Sequence, residues 1–337
     1  MAERVTVCIP TYSRTRWLAE AIESVLAQSF EDFVLLVGDD ATPGDAVRPV
    51  VEAYDDPRIR FVRFEDNAGI VGNFNRLLEL SETDYVLQIG DDDALHPELL
   101  AETVAALDRD PRVGLVHTRF DLIDDEGAVL EADIDWTGGL NGDAVEPGRI
   151  FLRESMLHSS RVCASTALLR RSAVPPWGFR EEDSPPFDFA CWLEIARDWD
   201  VAFVARSLCR YRIHERSFTS GQADATESGY LFRVDAVNEV RRVKQAFLDR
   251  HYAPGPERKT LEELADRSKR RELVTRVRQD TLPGRRLGPT IRRLARLARA
   301  EPGLLREPAA WALLAGAVVG QRVVTALRRL MPARPPL

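Results

Sequence analysis

The chain has 337 residues, of which 45% are hydrophobic and 30% are charged. This composition is typical of a globular protein and excludes collagen-like and intrinsically disordered chains. The sequence contains no run of about 18 consecutive apolar residues, so it predicts no membrane-spanning helix. The N-terminus lacks the apolar stretch of a secretory signal. Four widely separated cysteines without a C-x-x-C pair argue against a zinc ribbon or a disulfide framework and indicate a reducing compartment.

Charge is distributed unevenly along the chain. Residues 256–337 contain 19 Lys or Arg and 8 Asp or Glu, whereas the preceding 255 residues contain 27 and 46. The net charge of −8 therefore combines an acidic body with a basic tail. Such a tail binds anionic lipid or nucleic acid, or packs on the acidic body, and composition alone leaves these alternatives open.

The first hundred residues alternate short apolar runs with helical patterns. Strands alternating with helices at this spacing form βαβ units, so we expect an α/β fold with a mainly parallel sheet flanked by helices. The predicted strands are Val5–Ile9, Phe33–Gly38, Ile59–Phe64 and Tyr85–Ile89, and the predicted helices are Trp17–Ala27, Val47–Tyr54 and Ile70–Leu80.

The pattern is less regular in the second hundred residues and helical after about Gly229. A hairpin or irregular excursion is expected over 123–147, and prolines interrupt the helical region, among them Pro283. The predicted helices are Pro97–Leu107 and Phe189–Ala196, and the predicted strands are Val113–Leu122, Ala164–Leu169, Val201–Val204 and Leu208–Ile213.

Polar and acidic residues follow three of the predicted strands. Pro10-Thr11-Tyr12 follows the first strand, Asp39-Asp40 the second and Asp91-Asp92-Asp93 the fourth. Because ligands bind beyond the carboxyl ends of parallel strands, we expect these residues to share one crevice. The chain lacks both G-x-G-x-x-G and G-x-x-x-x-G-K-[ST], so dehydrogenase and P-loop hypotheses lose their main support.

The triplet Asp91-Asp92-Asp93 predicts a divalent-metal site. Consecutive carboxylates repel each other unless a cation or water screens them. Mg²⁺ and Mn²⁺ take oxygen ligands and often combine one or two carboxylates with substrate phosphates. A metal would also provide the counter-charge that a glycine-rich loop otherwise gives to a diphosphate. A solvated acidic turn is the alternative interpretation.

Several segments together resemble the family-2 glycosyltransferases, which are inverting enzymes with the GT-A fold. The resemblance covers about residues 4–220 and implies a GT-A domain over 1–220, with a nucleotide-binding half over about 1–100 and an acceptor half over 101–220. Residues 221–337 match no motif of the family, and we expect a basic helical region there. The similar segments are Val5–Tyr12, Ser24–Phe30, Val37–Asp40, Ile89–Asp93, Ser165–Ser172, Trp192–Ala196 and Tyr211–His214.

The resemblance implies a nucleotide-sugar site on the strand ends. Pro10, Thr11 and Tyr12 would line the nucleoside pocket. Asp40 would accept a hydrogen bond from N3–H of uracil or thymine, which cytosine lacks, so the expected donor is a UDP- or dTDP-sugar. Asp39 would cap a helix while Asp40 binds the base.

The resemblance also implies the ligands of the diphosphate and of the metal. Asp91 and Asp92 would contact the nucleotide sugar, while Asp91, Asp93 and His214 would hold Mn²⁺ or Mg²⁺. Imidazole suits Mn²⁺ better than Mg²⁺. A purely structural role is the alternative for His214.

Residues 67–75 resemble a family loop written N-x-G-x-x-x-A-R-N. Asn67 is expected in the donor site, with a simple turn residue as the alternative. The chain departs from the pattern at Asn73 and Phe74, which stand where the family often has Ala and Arg. If that Arg contacts the diphosphate, its role is vacant here or falls to Arg76.

Asp188 lies four residues before Trp192, where the family has its catalytic aspartate. An inverting transfer needs one carboxylate to remove the proton of the acceptor hydroxyl, and a metal can neutralise the leaving diphosphate. Asp188 is therefore the predicted general base, with a helix N-cap as the alternative. Phe187 stands where the family commonly has Glu. Three neighbouring acids are rival bases but are expected in an exposed loop: Glu181, Glu182 and Asp183.

The predicted function is metal-assisted transfer of a sugar to a hydroxyl of a glycan, a lipid-linked saccharide or a natural product. One alternative is a sugar nucleotidyltransferase, which should have a glycine-rich G-x-G-T-R-like loop where this chain has Pro10–Arg14. The other is a non-catalytic nucleotide-sugar-binding protein, which should have lost the acidic residues retained here.

Residues 221–337 contain arginines with hardly any aromatics between them, so we expect no nucleic-acid partner. Around Ile291, apolar residues including Leu294 and Leu297 alternate with arginines in the pattern of a helix that lies on an anionic membrane. Pro308–Val319 is too short to cross one. We expect a cytoplasmic protein; peripheral contact with the inner face of the membrane, homo-oligomer contact and packing on the body stay open.

Overall fold

The computed structural model describes residues 3–214, 227–281 and 287–319. These residues fall into two compact units. The first contains residues 3–214 and Asp249–His251, and the second contains the other described residues. The predicted domain boundary at 220/221 and the predicted interruption at Pro283 lie outside the described residues.

One mixed sheet forms the centre of the first unit. Its strands are β1 Val5–Thr11, β2 Phe33–Asp39, β3 Ile59–Arg63, β4 Tyr85–Gln88, β5 Ala94–Leu95, β6 Val113–Ile123, β7 Val129–Ile134, β8 Ala144–Glu146, β9 Leu168–Arg170 and β10 Asp200–Arg212. The order is β3-β2-β1-β4-β9-β6-β10-β5, with β7 on β6 and β8 on β10. Neighbours among β1 to β4 are parallel, as are β6 and β10, whereas β9 is antiparallel to both β4 and β6.

Six helices accompany this sheet: α1 Leu18–Leu26, α2 Arg48–Val51, α3 Gly69–Glu79, α4 Leu99–Arg109, α5 Gly148–Leu157 and α6 Phe187–Asp198. All seven residues of β2 are buried, and β1 is nearly so. Strands covered on both faces need continuous apolar runs, which is why the sequence displays β1 and β2 so clearly. The prediction of an α/β sheet flanked by helices is confirmed.

Two sequence-predicted strand assignments need correction. The strands predicted over Val201–Val204 and Leu208–Ile213 are one strand, β10, because bulges around Ser207 absorb the intervening residues while pairing with β6 continues. The strand predicted over Ala164–Leu169 starts only at Leu168. Residues 164–166 form a 3₁₀ turn, in which the Thr166 hydroxyl donates to the Cys163 carbonyl at 2.8 Å.

The second unit is helical in its described part. It contains α7 Glu227–His251 as far as Leu248, α8 Pro256–Thr281, α9 Leu287–Ala300 and α10 Pro308–Val319. The apolar side of α9 is used within the unit, because Leu294 and Leu297 are buried in a cluster with Leu273 and Val277 of α8. Among the described helices, none is both long enough and apolar enough to span a bilayer.

Candidate donor and catalytic site

The carboxyl ends of β1, β2 and β4 meet as predicted. Thr11 is the register partner of Asp39 on β2, and the Thr11 hydroxyl donates to Asp91 Oδ2 at 2.6 Å. Thr11 is therefore buried and orients Asp91, whereas Tyr12 remains 46% exposed and Pro10 is half-buried. This edge of the sheet thus has an exposed aromatic side chain and a buried, hydrogen-bonded carboxylate.

The two acids after β2 both brace loops. Asp39 accepts the Thr42 amide at 2.9 Å and pairs with Arg63, which fixes the turn after the strand. Asp40 accepts the backbone amides of Ala68 and Gly69 at 3.0 and 2.9 Å, one on each oxygen. These amides lie at the start of α3, so Asp40 anchors that helix. Oδ1 also lies 3.3 Å from Arg76 Nη1, whereas Oδ2, bonded to the Gly69 amide, retains a second lone pair for a further hydrogen bond.

Asn67 and Arg76 are occupied by local contacts. The Asn67 side chain accepts the Gly69 amide at 2.9 Å, which is the geometry of a turn residue. Arg76 binds both oxygens of Asp66 at 2.9 Å, and its Nη1 lies 3.3 Å from Asp40 Oδ1. The structure places Arg76 at Asp40, the aspartate predicted to bind the base, rather than at the acidic triplet.

Asp91 and Asp92 converge on Arg14, a residue that sequence reasoning did not single out. Arg14 Nη2 lies 3.0 Å from Asp91 Oδ1, and Nη1 lies 2.7 Å from Asp92 Oδ2. The same Asp92 oxygen lies 3.0 Å from His214 Nε2. Burial raises the pKa of Asp91 to about 7, against the opposing effect of Arg14. This is an anionic site partly neutralised by the protein itself.

Asp93 has different partners from its two neighbours. It accepts the Arg212 amide at 2.9 Å and the hydroxyl of Ser165. Burial and the charge of Asp92 raise the pKa of Asp93 well above its usual range. The Asp93 carboxyl therefore joins the triplet to β10 and to the turn at Ser165.

The buried Arg212 side chain holds the backbone of the triplet in place, a role that its position in the sequence does not indicate. Its Nε donates to the Asp92 carbonyl at 2.8 Å, and its Nη1 donates to the Asp124 carbonyl at 2.9 Å. Its Nη2 reaches the carboxylate of Glu20 at 2.5 Å. A fully buried guanidinium needs such partners, and here they fix the backbone on which Asp92 is carried.

A divalent cation fits this arrangement only with help from its substrate. No three His, Cys, Asp or Glu side chains in the described part of the chain form a ready-made metal cluster. Asp91 and Asp92 nevertheless present carboxylate oxygens to one guanidinium, that of Arg14, and His214 Nε2 lies 3.0 Å from Asp92 Oδ2. Oxygen and imidazole donors of the kind that Mg²⁺ and Mn²⁺ accept are therefore neighbours here. Mg²⁺ and Mn²⁺ sites with few protein ligands are commonly completed by phosphate oxygens.

Asp188 lies in the first turn of α6 and does not cap it. The N-cap position is Pro186, and Asp188 Oδ1 accepts the amide of the adjacent Phe189 at 2.7 Å. Burial raises the pKa of Asp188 to about 6. The helix-cap alternative is therefore unsupported, and a carboxyl with this pKa is largely ionised at neutral pH.

Asp188 lines a small cavity whose other walls come from both halves of the domain. The walls are mostly apolar, and two deeply buried polar atoms, Gln88 Oε1 and Trp192 Nε1, have no hydrogen-bond partner among the described residues. Gln88 is the last residue of β4, which leads to the triplet. The remaining walls are Phe74, Ala164, Ala167, Leu169 and Phe179.

The expectation of an exposed acidic loop is wrong for Asp183. Glu181 and Glu182 are exposed, but Asp183 is buried and lies 3.4 Å from Arg250. Arg250 also reaches Glu194 of α6 at 3.2 Å. An ion pair with a residue far along the chain offsets the cost of burying this carboxylate, and a local sequence pattern does not display such a partner.

Comparison with known proteins decides the family. The model described as "Glycosyl transferase family 2" matches residues 6–174, about half of the chain. The chain belongs to this family. It is 26% identical to chondroitin synthase of Escherichia coli over 197 residues and 29% identical to the putative glycosyltransferase EpsE of Bacillus subtilis over 172 residues. These matches cover 57% and 50% of this chain, but 26% and 57% of the two relatives.

Solved glycosyltransferases share the fold. The mannosyltransferase PcManGT of Pyrobaculum calidifontis, in complex with GDP-Man and Mn²⁺, is 18% identical with a TM-score of 0.56, covering 95% of this chain and 87% of that one. Residues 1–349 of S. aureus TarS, in complex with UDP, are 15% identical with a TM-score of 0.54, covering 98% and 93%. This family-2 chain thus has the GT-A fold, as predicted.

Proposed function

We propose that the protein transfers a sugar from a UDP- or dTDP-sugar to an acceptor hydroxyl with inversion, assisted by Mn²⁺ or Mg²⁺. The observation that carries this proposal is the cavity beside Asp188. Its walls include Gln88 and Ala164, which adjoin the triplet and its partner Ser165, respectively. The position of this carboxylate close to the proposed donor site supports a role toward the acceptor hydroxyl, which has to approach the anomeric carbon.

The nucleotide is proposed to lie across the ends of β1 and β2. Asp40 retains acceptor capacity for a pyrimidine N3–H, and exposed Tyr12 is available to the nucleoside. TarS is described with UDP, which is consistent with this class, but PcManGT is described with GDP-Man. Calorimetric comparison of UDP, dTDP, CDP and GDP with the full chain tests the assignment; a preference for GDP would overturn it.

The metal is proposed to be held by Asp91, Asp92 and His214, with the predicted ligand Asp93 as an alternative. The bound cation would neutralise the charge of the departing diphosphate, which then needs no proton. The protein contributes the fixed positions: Thr11 orients Asp91, and Arg212 holds the backbone of Asp92. Equal UDP affinity in Mn²⁺ and in EDTA would contradict this part of the proposal.

Asp188 is proposed as the general base. It is held by the Phe189 amide, and its pKa of about 6 leaves it ionised but basic enough to accept a proton at neutral pH. The acceptor's O–H bond breaks as its oxygen bonds to the anomeric carbon, and the proton passes to the carboxylate. Incubation with a panel of nucleotide sugars, scored by transfer or slow hydrolysis, would identify the donor.

The identity of the acceptor stays open among a glycan, a lipid-linked saccharide and a natural product. A sugar nucleotidyltransferase has no support from the comparisons, and a non-catalytic role is disfavoured because the acids of both sites are present.

A cytoplasmic location is proposed because all four cysteines are buried and unpaired, as suits a reducing compartment. Contact with the membrane or with a second copy through the helical unit is left as a proposal.

A further inference from the structure

Arg14 occupies the carboxylates that a divalent cation would need. Its two terminal nitrogens lie 3.0 and 2.7 Å from Asp91 Oδ1 and Asp92 Oδ2. The second of these oxygens also lies 3.0 Å from His214. One guanidinium thus spans both acids, as a bidentate arginine does with a carboxylate pair or a phosphate.

The contact has an electrostatic cause. Asp91 and Asp92 are neighbouring carboxylates, and the side chain of Asp91 has no solvent exposure. Two adjacent anions, one of them removed from water, need a counter-charge. Arg14 provides it, and because a third of its own side chain (34%) is exposed, it can leave without unpacking the core.

A guanidinium and a divalent cation cannot share these oxygens, since like charges at such distances repel strongly. Metal binding therefore requires Arg14 to leave Asp91 and Asp92. The other anion that enters the crevice is the donor's diphosphate, and arginine binds phosphate oxygens in the same two-pronged geometry. Arg76, which the sequence suggested for the diphosphate, is held by Asp66 instead.

We propose that Arg14 is an exchangeable cation of the donor site: it neutralises Asp91 and Asp92 in the free protein and turns to the nucleotide diphosphate when the metal takes the carboxylates. The inference rests on the proposed metal-dependent donor site. Its consequence is positive coupling, in which metal and nucleotide each raise the affinity of the other beyond the effect of phosphate ligation alone.

The alternative is that Arg14 only braces the acidic turn. The two hypotheses predict opposite changes in the affinity for metal alone when Arg14 is removed. An exchangeable cation competes with the metal when nucleotide is absent, so its removal should tighten the binding of metal alone. A brace pre-forms the site, so its removal should weaken metal binding under every condition.

The test measures Mn²⁺ affinity of the full chain with and without UDP, by calorimetry and by electron paramagnetic resonance of free Mn²⁺. In Arg14→Gln we expect Mn²⁺ alone to bind about tenfold more tightly, whereas UDP in saturating Mn²⁺ binds about tenfold more weakly. Arg14→Lys should lie between this variant and the wild type. Arg16→Gln is the matched control, because Arg16 is 57% exposed and pairs with Asp125 at 3.0 Å.

The outcomes separate this inference from the proposed function. Weaker binding of Mn²⁺ alone by Arg14→Gln, or unchanged binding of both ligands, overturns the exchange hypothesis while leaving the donor site intact. If wild-type protein binds no UDP, or binds it equally in EDTA, the proposed function fails and this inference fails with it. Thermal unfolding of each variant without ligands shows whether the fold is retained.

Discussion

The Asn75 side chain makes two hydrogen bonds to the backbone of Phe179, 104 positions away. Asn75 Nδ2 donates to the Phe179 carbonyl at 2.7 Å, and the Phe179 amide donates to Asn75 Oδ1 at 2.8 Å. Through this pair of hydrogen bonds, one donated and one accepted, the Asn75 side chain joins α3 to the segment before α6. The Phe179 ring packs edge-on against Phe187, the residue before Asp188, with centroids 5.6 Å apart. Asn75 therefore couples the donor-side helix to the surroundings of the proposed base.

Replacing Asn75 with Leu should uncouple these elements. The substitution preserves approximate size but leaves the Phe179 amide and carbonyl without partners, which costs about 1–3 kcal/mol of unfolding free energy. Urea denaturation measures this loss. Transfer should fall by a larger factor than UDP affinity, because the displaced segment lies beside Asp188. Asn141→Leu, at an exposed loop position, is the control and should change neither quantity.

The sequence displayed the parts of the fold that local pattern determines. Apolar runs predicted β1, β2 and β4, and the polar residues after them met at one edge because parallel strands end together. β10 was predicted as two strands, since its bulges interrupt the alternation that marks a strand. The β-propensity of individual residues does not specify whether a chain bulges and continues within one strand or leaves the sheet.

The candidate site was predictable in composition but less so in its contacts. The expected metal ligands were Asp91, Asp93 and His214, but His214 lies at Asp92 while Asp93 has other partners. The role of Arg212 depends on residues as far away as Glu20, 192 positions along the chain. A buried charge is stable only with a partner, and that partner is a property of the fold. Arg14 and Asn75 lie in segments already recognised, yet their acceptors could not be found from spacing.

The pH dependence of transfer should report the ionisation of Asp188. Burial raises its pKa to about 6, and a general base must be deprotonated to act. With saturating metal, kcat/KM should therefore be low below about pH 5, rise through about pH 6 and level off above pH 7. Asp188→Asn should lower the rate by about 10²–10⁴ and abolish this rise. Unchanged UDP affinity in the variant is the accompanying control, and near-normal turnover would contradict the assignment.

Ionisation of Asp188 should also lower the stability of the folded protein. A carboxyl whose pKa is raised on folding stabilises the protein while protonated, and this contribution is lost as the pH rises through about 6. Asp188→Asn should thus resemble the wild type near pH 4 and unfold at a higher temperature than the wild type near pH 8. Calorimetric melting at both pH values provides the measurement.

Asp198→Asn, on the same helix, is the matched control for that experiment. Its hydrogen bond with Arg197 lowers the pKa of Asp198, so this carboxylate contributes stability above its usual pKa and loses it on acidification. The Asn variant should therefore be less stable than the wild type at pH 8 and equal to it at low pH. A stabilising effect of both substitutions at pH 8 would indicate a general charge effect rather than burial of Asp188.

The triplet offers a direct test of which acids hold the metal. Asp92 Oδ2 lies beside His214 at the crevice, whereas Asp93 is engaged with Ser165 and the Arg212 amide. Asp92→Asn should therefore reduce Mn²⁺ affinity in the presence of UDP at least about tenfold, as expected when a charged ligand is lost. Asp93→Asn should change that affinity less than threefold, since its oxygens have other partners.

Alanine substitutions at the same two positions should affect stability in the opposite order from Mn²⁺ affinity, with the larger loss at Asp93. Asp93→Ala removes the acceptor of a buried amide and should cost about 1–3 kcal/mol, whereas Asp92→Ala at the crevice should cost less and even relieve charge repulsion. Because the pKa of Asp93 is already raised, Asn at this position replaces a readily protonated carboxyl and should be tolerated. Loss of Mn²⁺ binding in a well-folded Asp93→Asn protein would show that Asp93 turns toward the metal when the donor binds. The resting contacts to Ser165 and Arg212 would then be those of the free protein only.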